Sequence, residues 1–257
     1  MLDLLSFHKI HTEPVNPQRP LEQHQGDCPF CGKDKFFVNP AKQLWDCKTC
    51  AIEGNHLTLL TRIHHGHYLA TEEHQYQELA KQRKGIQSET LMDAGFAYDA
   101  DNERWLVPYQ NGSDFLNNLG AFYPDRGFKI FKTPGLQLKL YRPFSPKSLS
   151  NKIIICEGEW DLLAIAPYIP SDHCIVSVPG AMSFKPEFIP LFRNADVTLL
   201  YDKDDAGKAG IAKAIRLLNP VANSIKFLAW PDDYDFTSAD DKQKSGTDLR
   251  DLVAHNI

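Results

Sequence analysis

The chain has 257 residues, 42% hydrophobic and 24% charged, ordinary values for a globular protein with one large core or two smaller ones. No apolar run approaches the length of a membrane span, and MLDLLSFHKIHTEP has neither the basic end nor the cleavage site of a signal peptide; a cytoplasmic location is expected. The net charge of −5 argues against a protein that coats nucleic acid wholesale, yet the acidity falls entirely within residues 151–257.

Residues 1–65 read as a short-stranded first domain with regular cysteines. Cys28-x2-Cys31 and Cys47-x2-Cys50 stand fifteen residues apart. Four thiolates at this spacing suit one structural zinc ion with no open position for water. Reduced free thiols or a redox pair are the alternatives. KFFV and QLWDC around a turn at NPAK predict the two hairpins of a zinc ribbon. Lys33, Lys35, Phe36, Phe37 and Trp45 form either a face that stacks on single-stranded bases or, for the aromatic residues, the small core of the ribbon. His24, His56, His64, His65 and His67 are expected at the surface. Cys156 and Cys174, in apolar runs, are expected to be inert core residues.

Residues 66–84 predict a helical linker, and residues 85–150 an α+β subdomain. Two apolar runs around Asn111-Gly112 signal a hairpin, and FKIFKTPG adds a strand and a turn. Arg126, Lys129, Lys132, Lys139, Arg142, Lys147 and Lys152 fall in a stretch without a single acid. Such a strip is either a plain solvated face or a grip for phosphates. From residue 151 the pattern becomes KIIIC, DLLAIAPYI, HCIVSVPG, PEFIPLFRNA, VTLLYD, KAGIAKAIRLLN and SIKFLAW. Short apolar strands alternating with helical periods predict an α/β domain with a mainly parallel sheet over residues 151–257.

Two strands of that domain run into acids. KIIIC is followed by Glu157, Glu159 and Asp161, and VTLLY by Asp202, Asp204 and Asp205. Helix capping would explain each group separately. It explains less well why both strand ends carry them, because strand C-termini of a parallel sheet share one edge, where ligand sites form. Hard oxygen ligands gathered there suit Mg²⁺ or Mn²⁺.

EGEWDLLAI, SVPGAMSF, YDKDDAG and GTDLRDL resemble the successive motifs of a Toprim domain, the fold shared by topoisomerases and bacterial-type primases. The cysteine ribbon opening with CPFCGKDKFF and followed by EGNHLTLL resembles the N-terminal half of phage-type primase-helicases. FKIFKTPG, RKGIQSETLMDAGFAY and RWLVPY fit the region that joins the two in that family. The resemblance implies that Glu157 is the lead carboxylate and that Asp202 and Asp204 bind metal with a further acid, Asp248 or Asp251. It also implies that Arg104, Lys129 and Lys132 face nucleotide or template. Arg142 in the basic strip and Trp45 on the ribbon join them as candidates, with Glu159, Asp161, Asp205 and Asp251 in support. Three departures stand out: Thr247 replaces a common lysine, NNLGAFY lacks a basic residue, and no GxxxxGK[ST] loop occurs.

The implied activity is template-directed synthesis of RNA primers on single-stranded DNA from ribonucleoside triphosphates. A replicative helicase would act in cis, if the chain is a fragment, or in trans. A metal-dependent nuclease and a non-catalytic template-binding module are the rival readings.

Overall fold

The computed structural model describes residues 1–83, 85–110, 116–127, 129–137, 139–144, 150–230, 249, 250 and 253. The chain divides into two compact units, Met1–Thr71 with Gly95–Leu138, and Glu72–Ala94 with Lys139–Ile257. This division cuts across the expected segments, because the stretch read as a linker is shared between the units.

Unit 1 begins with helix α1 (Leu2–Phe7) and an antiparallel meander of β1 (Thr12–Pro14), β2 (His24–Gly26), β3 (Phe36–Asn39), β4 (Leu44–Cys47) and β5 (Ile52–Asn55). Helix α2 (His56–Ala70) follows at once, its start capped by the Asn55 side chain, which accepts from Leu57 and Thr58 N–H at 3.0 Å. The expected border at residue 65 therefore lies inside a helix. A second antiparallel sheet runs β6 (Ala97–Asp99), β7 (Arg104–Tyr109), β8 (Asn118–Phe122) and β9 (Ile130–Lys132). β7 and β8 pair as the hairpin signal predicts, with Tyr109 opposite Asn118; Asn111-Gly112 lies outside the described residues. Leu59, Leu60 and Ile63, at helical spacing on α2, join Phe36, Val38 and Trp45 of the first sheet to Ala97, Leu106 and Leu119 of the second in one core.

Unit 2 takes helices α3 (Glu73–Gln82) and α4 (Ser88–Asp93) and a parallel sheet in the order β11 (Cys174–Ser177), β10 (Lys152–Cys156), β12 (Asp196–Leu200), β13 (Ser224–Phe227). Helix α5 (Glu159–Ile165) follows β10, and α6 (Asp205–Leu218) follows β12. β10 and β12 are central; β10 is buried on both faces, which is why it reads as an isoleucine run without alternation, whereas β12 alternates buried Val197 and Leu199 with half-buried Thr198 and Leu200. PEFIPLFRNA departs from the helix expected of it. Pro186–Phe192 is 3₁₀, since Pro190 has no N–H to donate and its ring blocks an α-helical turn.

Candidate metal centre and carboxylate site

In unit 1 the first cysteine pair sits in the β2–β3 connection and the second closes β4. Each knuckle ends on a left-handed residue, Gly32 at φ 67° and Ala51 at φ 53°, which turns the chain back beside its thiols. Backbone N–H groups of Phe30 and Cys50 point at the Cys28 and Cys47 sulfurs, each at 3.4 Å. The four Sγ atoms lie within 4.8 Å of one another, with Cys28–Cys50 and Cys31–Cys47 both at 3.8 Å. A tetrahedron with metal–sulfur bonds of about 2.3 Å has an edge of about 3.8 Å. The four free thiols therefore have the spacing of a tetrathiolate metal site and are too far apart for two disulfides. Burial pushes the Cys47 thiol up, but the backbone N–H of Cys50 and the Cys28 and Cys50 thiols outweigh it and bring the group down to about 7. Among the described residues no other group of three or more histidine, cysteine or acidic ligand atoms converges this closely.

Two nucleic-acid candidates of unit 1 are corrected by burial. Trp45 is 2% exposed, donates its indole N–H to the Asn55 carbonyl at 2.8 Å and packs on Phe30 and Phe36; it is core, not a stacking face. Arg104 is 1% exposed, and its Nε lies 2.7 Å from Asp99 Oδ2, with a second bond to the Phe7 carbonyl. The guanidinium serves the fold, since a buried cation needs its counter-charge. His24, also buried, bonds to Thr12 and Pro20 rather than facing solvent. Lys129 is exposed beside Phe131, and Lys132 stands 5.5 Å over the Tyr109 ring.

His8 packs against the same pair. Burial, and then the Arg104 charge, hold its imidazole down to about 3. The unfolded chain takes up this proton near 6.5 and the folded chain does not, so His8 contributes stability above 6.5 that is lost as pH falls toward 3. Unit 1 is expected to lose on the order of 3 kcal/mol from this source between neutrality and about pH 4. Denaturant melts at the two pH values, wild type against His8→Phe, measure it; equal acid slopes would contradict the assignment.

In unit 2, Glu157 follows the last residue of β10, and Asp202 lies two residues beyond β12. The strands pair in parallel with Cys156 opposite Leu200, so both acids leave the same sheet edge. Glu157 Oε2 accepts from the Asp202 backbone N–H at 3.3 Å, and both are half-buried. Asp204 caps α6, its Oδ1 accepting from Gly207 N–H at 2.6 Å. Gly207 has to be glycine: a Cβ there would stand 2.3 Å from the Asp202 carbonyl oxygen. The loop that carries the acids thus folds flat onto the first turn of the helix.

The acids grouped together by sequence separate here. Asp205 is exposed and pairs with Lys208 at 3.3 Å. Glu159 and Asp161 are buried in the first turn of α5, and Asp161 Oδ1 lies 3.5 Å from Arg250 Nε. Asp248 and Asp251 lie outside the described residues. Arg142 is half-buried beside the Cys174 thiol. Burial raises the Tyr201 hydroxyl pKa, and the Glu157 charge raises it further. Two supporting residues escaped the sequence reading. Arg250 pairs with Asp161, and Trp230 donates its indole N–H to the Tyr201 carbonyl at 2.8 Å, holding the strand end next to Asp202. The aromatic at the end of SIKFLAW was the available signal for the second.

A family model described as Toprim-like matches residues 154–239. No curated protein sequence matches the chain. Among solved structures, the zinc-binding and RNA polymerase domains of the Aquifex aeolicus primase are similar at 18% identity and TM-score 0.54, over 91% of this chain and 78% of that one. The E. coli primase catalytic core gives 16% identity and TM-score 0.58, over 77% and 75%. A DnaG primase catalytic domain bound to single-stranded DNA gives 18% and 0.55, over 77% and 74%. At such identities the likeness is one of fold: a Toprim-like α/β region preceded by a cysteine ribbon, as the motif order implied.

Proposed function

We propose that the protein is a DNA primase that synthesises short RNA primers on single-stranded DNA. The observation that carries this reading is the Glu157–Asp202 contact across adjacent parallel strand ends, on a fold shared with bacterial primases. The donor set of Glu157, Asp202 and Asp204 is all hard oxygen and suits Mg²⁺ or Mn²⁺, although Asp204 is turned to cap α6. Such an ion would neutralise charge on the phosphoryl oxygens and the departing pyrophosphate. In this reading Glu157 orients the attacking 3′-hydroxyl and accepts its proton as the new phosphodiester bond forms and the bond to pyrophosphate breaks. Lys129, Lys132 and Arg142 are proposed phosphate contacts for template and ribonucleoside triphosphate. A replicative helicase, in cis or in trans, is the proposed partner, and the cytoplasm the place of work.

The tetrathiolate site is proposed to hold structural zinc, since four thiolates in a tetrahedron suit that ion and leave no position for catalysis. Purified protein should carry one zinc per chain. Cys47→Ser should lower zinc affinity at least about a hundredfold and unfold the β2–β5 region, because metal binding and folding are one equilibrium here. Zinc analysis with amide exchange checks this; a fully loaded, fully protected variant would exclude Cys47 as a ligand.

The activity itself is tested with single-stranded template, four ribonucleotides and divalent metal. Short RNA products are expected. Cleavage of labelled DNA without nucleotides, and no RNA, would replace the primase with a nuclease.

A further inference from the structure

Unit 2 carries a half-open groove of about 400 Å³, at the lower end of the size range of binding sites. Helix α4 forms one wall, and the connection from α5 to β11 forms the other. Half-buried Phe144 and Ile169 lie between the walls, and Pro167 and Pro170 stand exposed on the second. The prolines give that wall a fixed φ at two positions. Gln87 Nε2, from the α4 side, ties the walls together by donating to Tyr168 Oη at 3.3 Å. A groove preformed in this way lowers the cost of ordering on binding.

The α4 wall is acidic. Glu89 and Asp93, both exposed, stand four residues apart, hence about 6 Å along the helix axis and on one face. Glu89 suits a first turn, but Asp93 is the last residue of α4, where an acid opposes the macrodipole, and like charges at this spacing repel. Among the described residues neither forms an ion pair; Glu89 accepts from the Ser88 hydroxyl at 3.1 Å. The basic side chain in the lining, His173, is engaged by Asp172 at 2.7 Å. Two uncompensated anions beside apolar surface repel a phosphate backbone and suit cations carried among apolar groups. In an extended chain alternate residues lie about 6.6 Å apart on one side, which matches the two acids, and those between them project to the other side.

We infer that this groove docks an extended segment of a partner protein in which arginine or lysine alternates with bulky apolar residues. The basic residues face Glu89 and Asp93, and the apolar ones cover Phe144 and Ile169 beside the prolines. Such docking needs neither the carboxylate site nor the cysteine cluster.

The test uses the full chain and an acetylated, amidated hexapeptide that alternates arginine with leucine, labelled for fluorescence anisotropy. Saturable binding below about 1 mM is expected, weakened at least about tenfold by Glu89→Gln with Asp93→Asn. Glu13→Gln, at an exposed acid of unit 1, should leave it unchanged. Glu89→Lys with Asp93→Lys should lose the arginine peptide and gain its glutamate–leucine counterpart; both positions are exposed, so the fold survives. An arginine–serine peptide should bind at least about tenfold more weakly, because apolar burial supplies part of the affinity. The Ile169 δ-methyl NMR signal, assigned by its loss in Ile169→Val, must shift at saturation. No saturable binding, indifference to the charge variants, equal binding of the serine peptide or of arginine amide alone, or an unshifted Ile169 signal overturns the inference. A dimer in sedimentation that the charge reversal dissociates would give the groove to a second copy of the chain and overturn it as well.

Discussion

Glu157→Gln and Asp202→Asn each leave a folded protein in which primer synthesis falls at least about a hundredfold. Both substitutions keep the shape of the side chain and remove its charge. In Glu157→Gln the amide oxygen can still accept from the Asp202 backbone N–H, so the contact between strand ends survives. What is lost is the anionic oxygen that holds a cation or receives a proton. Gel analysis of RNA products beside thermal melts separates the two effects, and normal primer yield from either variant would remove that acid from the site. Asp204→Asn is the informative companion. Asparagine caps a helix about as well as aspartate, so its effect on activity would report chemistry rather than fraying of α6.

Asp99→Asn is expected to destabilise unit 1 by roughly 3–5 kcal/mol, because it leaves the buried Arg104 cation without its counter-charge. For a unit of this size the melting temperature should fall by roughly 15–25 °C. The same anion also accepts from Asn102 Nδ2 at 2.9 and 3.0 Å, so the β6–β7 turn loosens with it. Asp99→Leu combined with Arg104→Met should recover much of the loss, since removing both charges removes the desolvation cost. A double-mutant cycle by thermal melting measures this coupling. If Asp99→Asn melts with the wild type, the pair is not a fold determinant.

The readings that held were those in which local pattern and tertiary role coincide. The cysteine spacing reported the tetrathiolate directly, because two short knuckles at that distance have few other arrangements. KIIIC announced a central parallel strand because both its faces are buried, and VTLLY announced its neighbour although one face of that strand is only half-buried. Arg104 and Trp45 misled for the opposite reason. Side-chain type suggests a contact with phosphate or base, but whether the side chain faces solvent depends on partners such as Asp99 and Asn55 that periodicity does not reveal. Pro190 was visible, yet the apolar spacing around it outweighed a single helix breaker. Arg250 stands far along the chain from Asp161, a separation that no local signal reports.

The assignment of residues 72–94 to the second unit has a consequence during synthesis. α3 and α4 leave the ribosome before α5, against which α4 packs, has been made. Unit 1 can close once residue 138 has emerged, whereas the 72–94 stretch stays without its partner until about residue 165 follows, some seconds later at ordinary elongation rates. A fragment ending near residue 138 would therefore carry two helices without the elements that bury them, and would be sticky for a reason unrelated to its metal site. Cutting the stretch out and joining Thr71 to Gly95 through a short flexible link is the more rational way to obtain unit 1 alone.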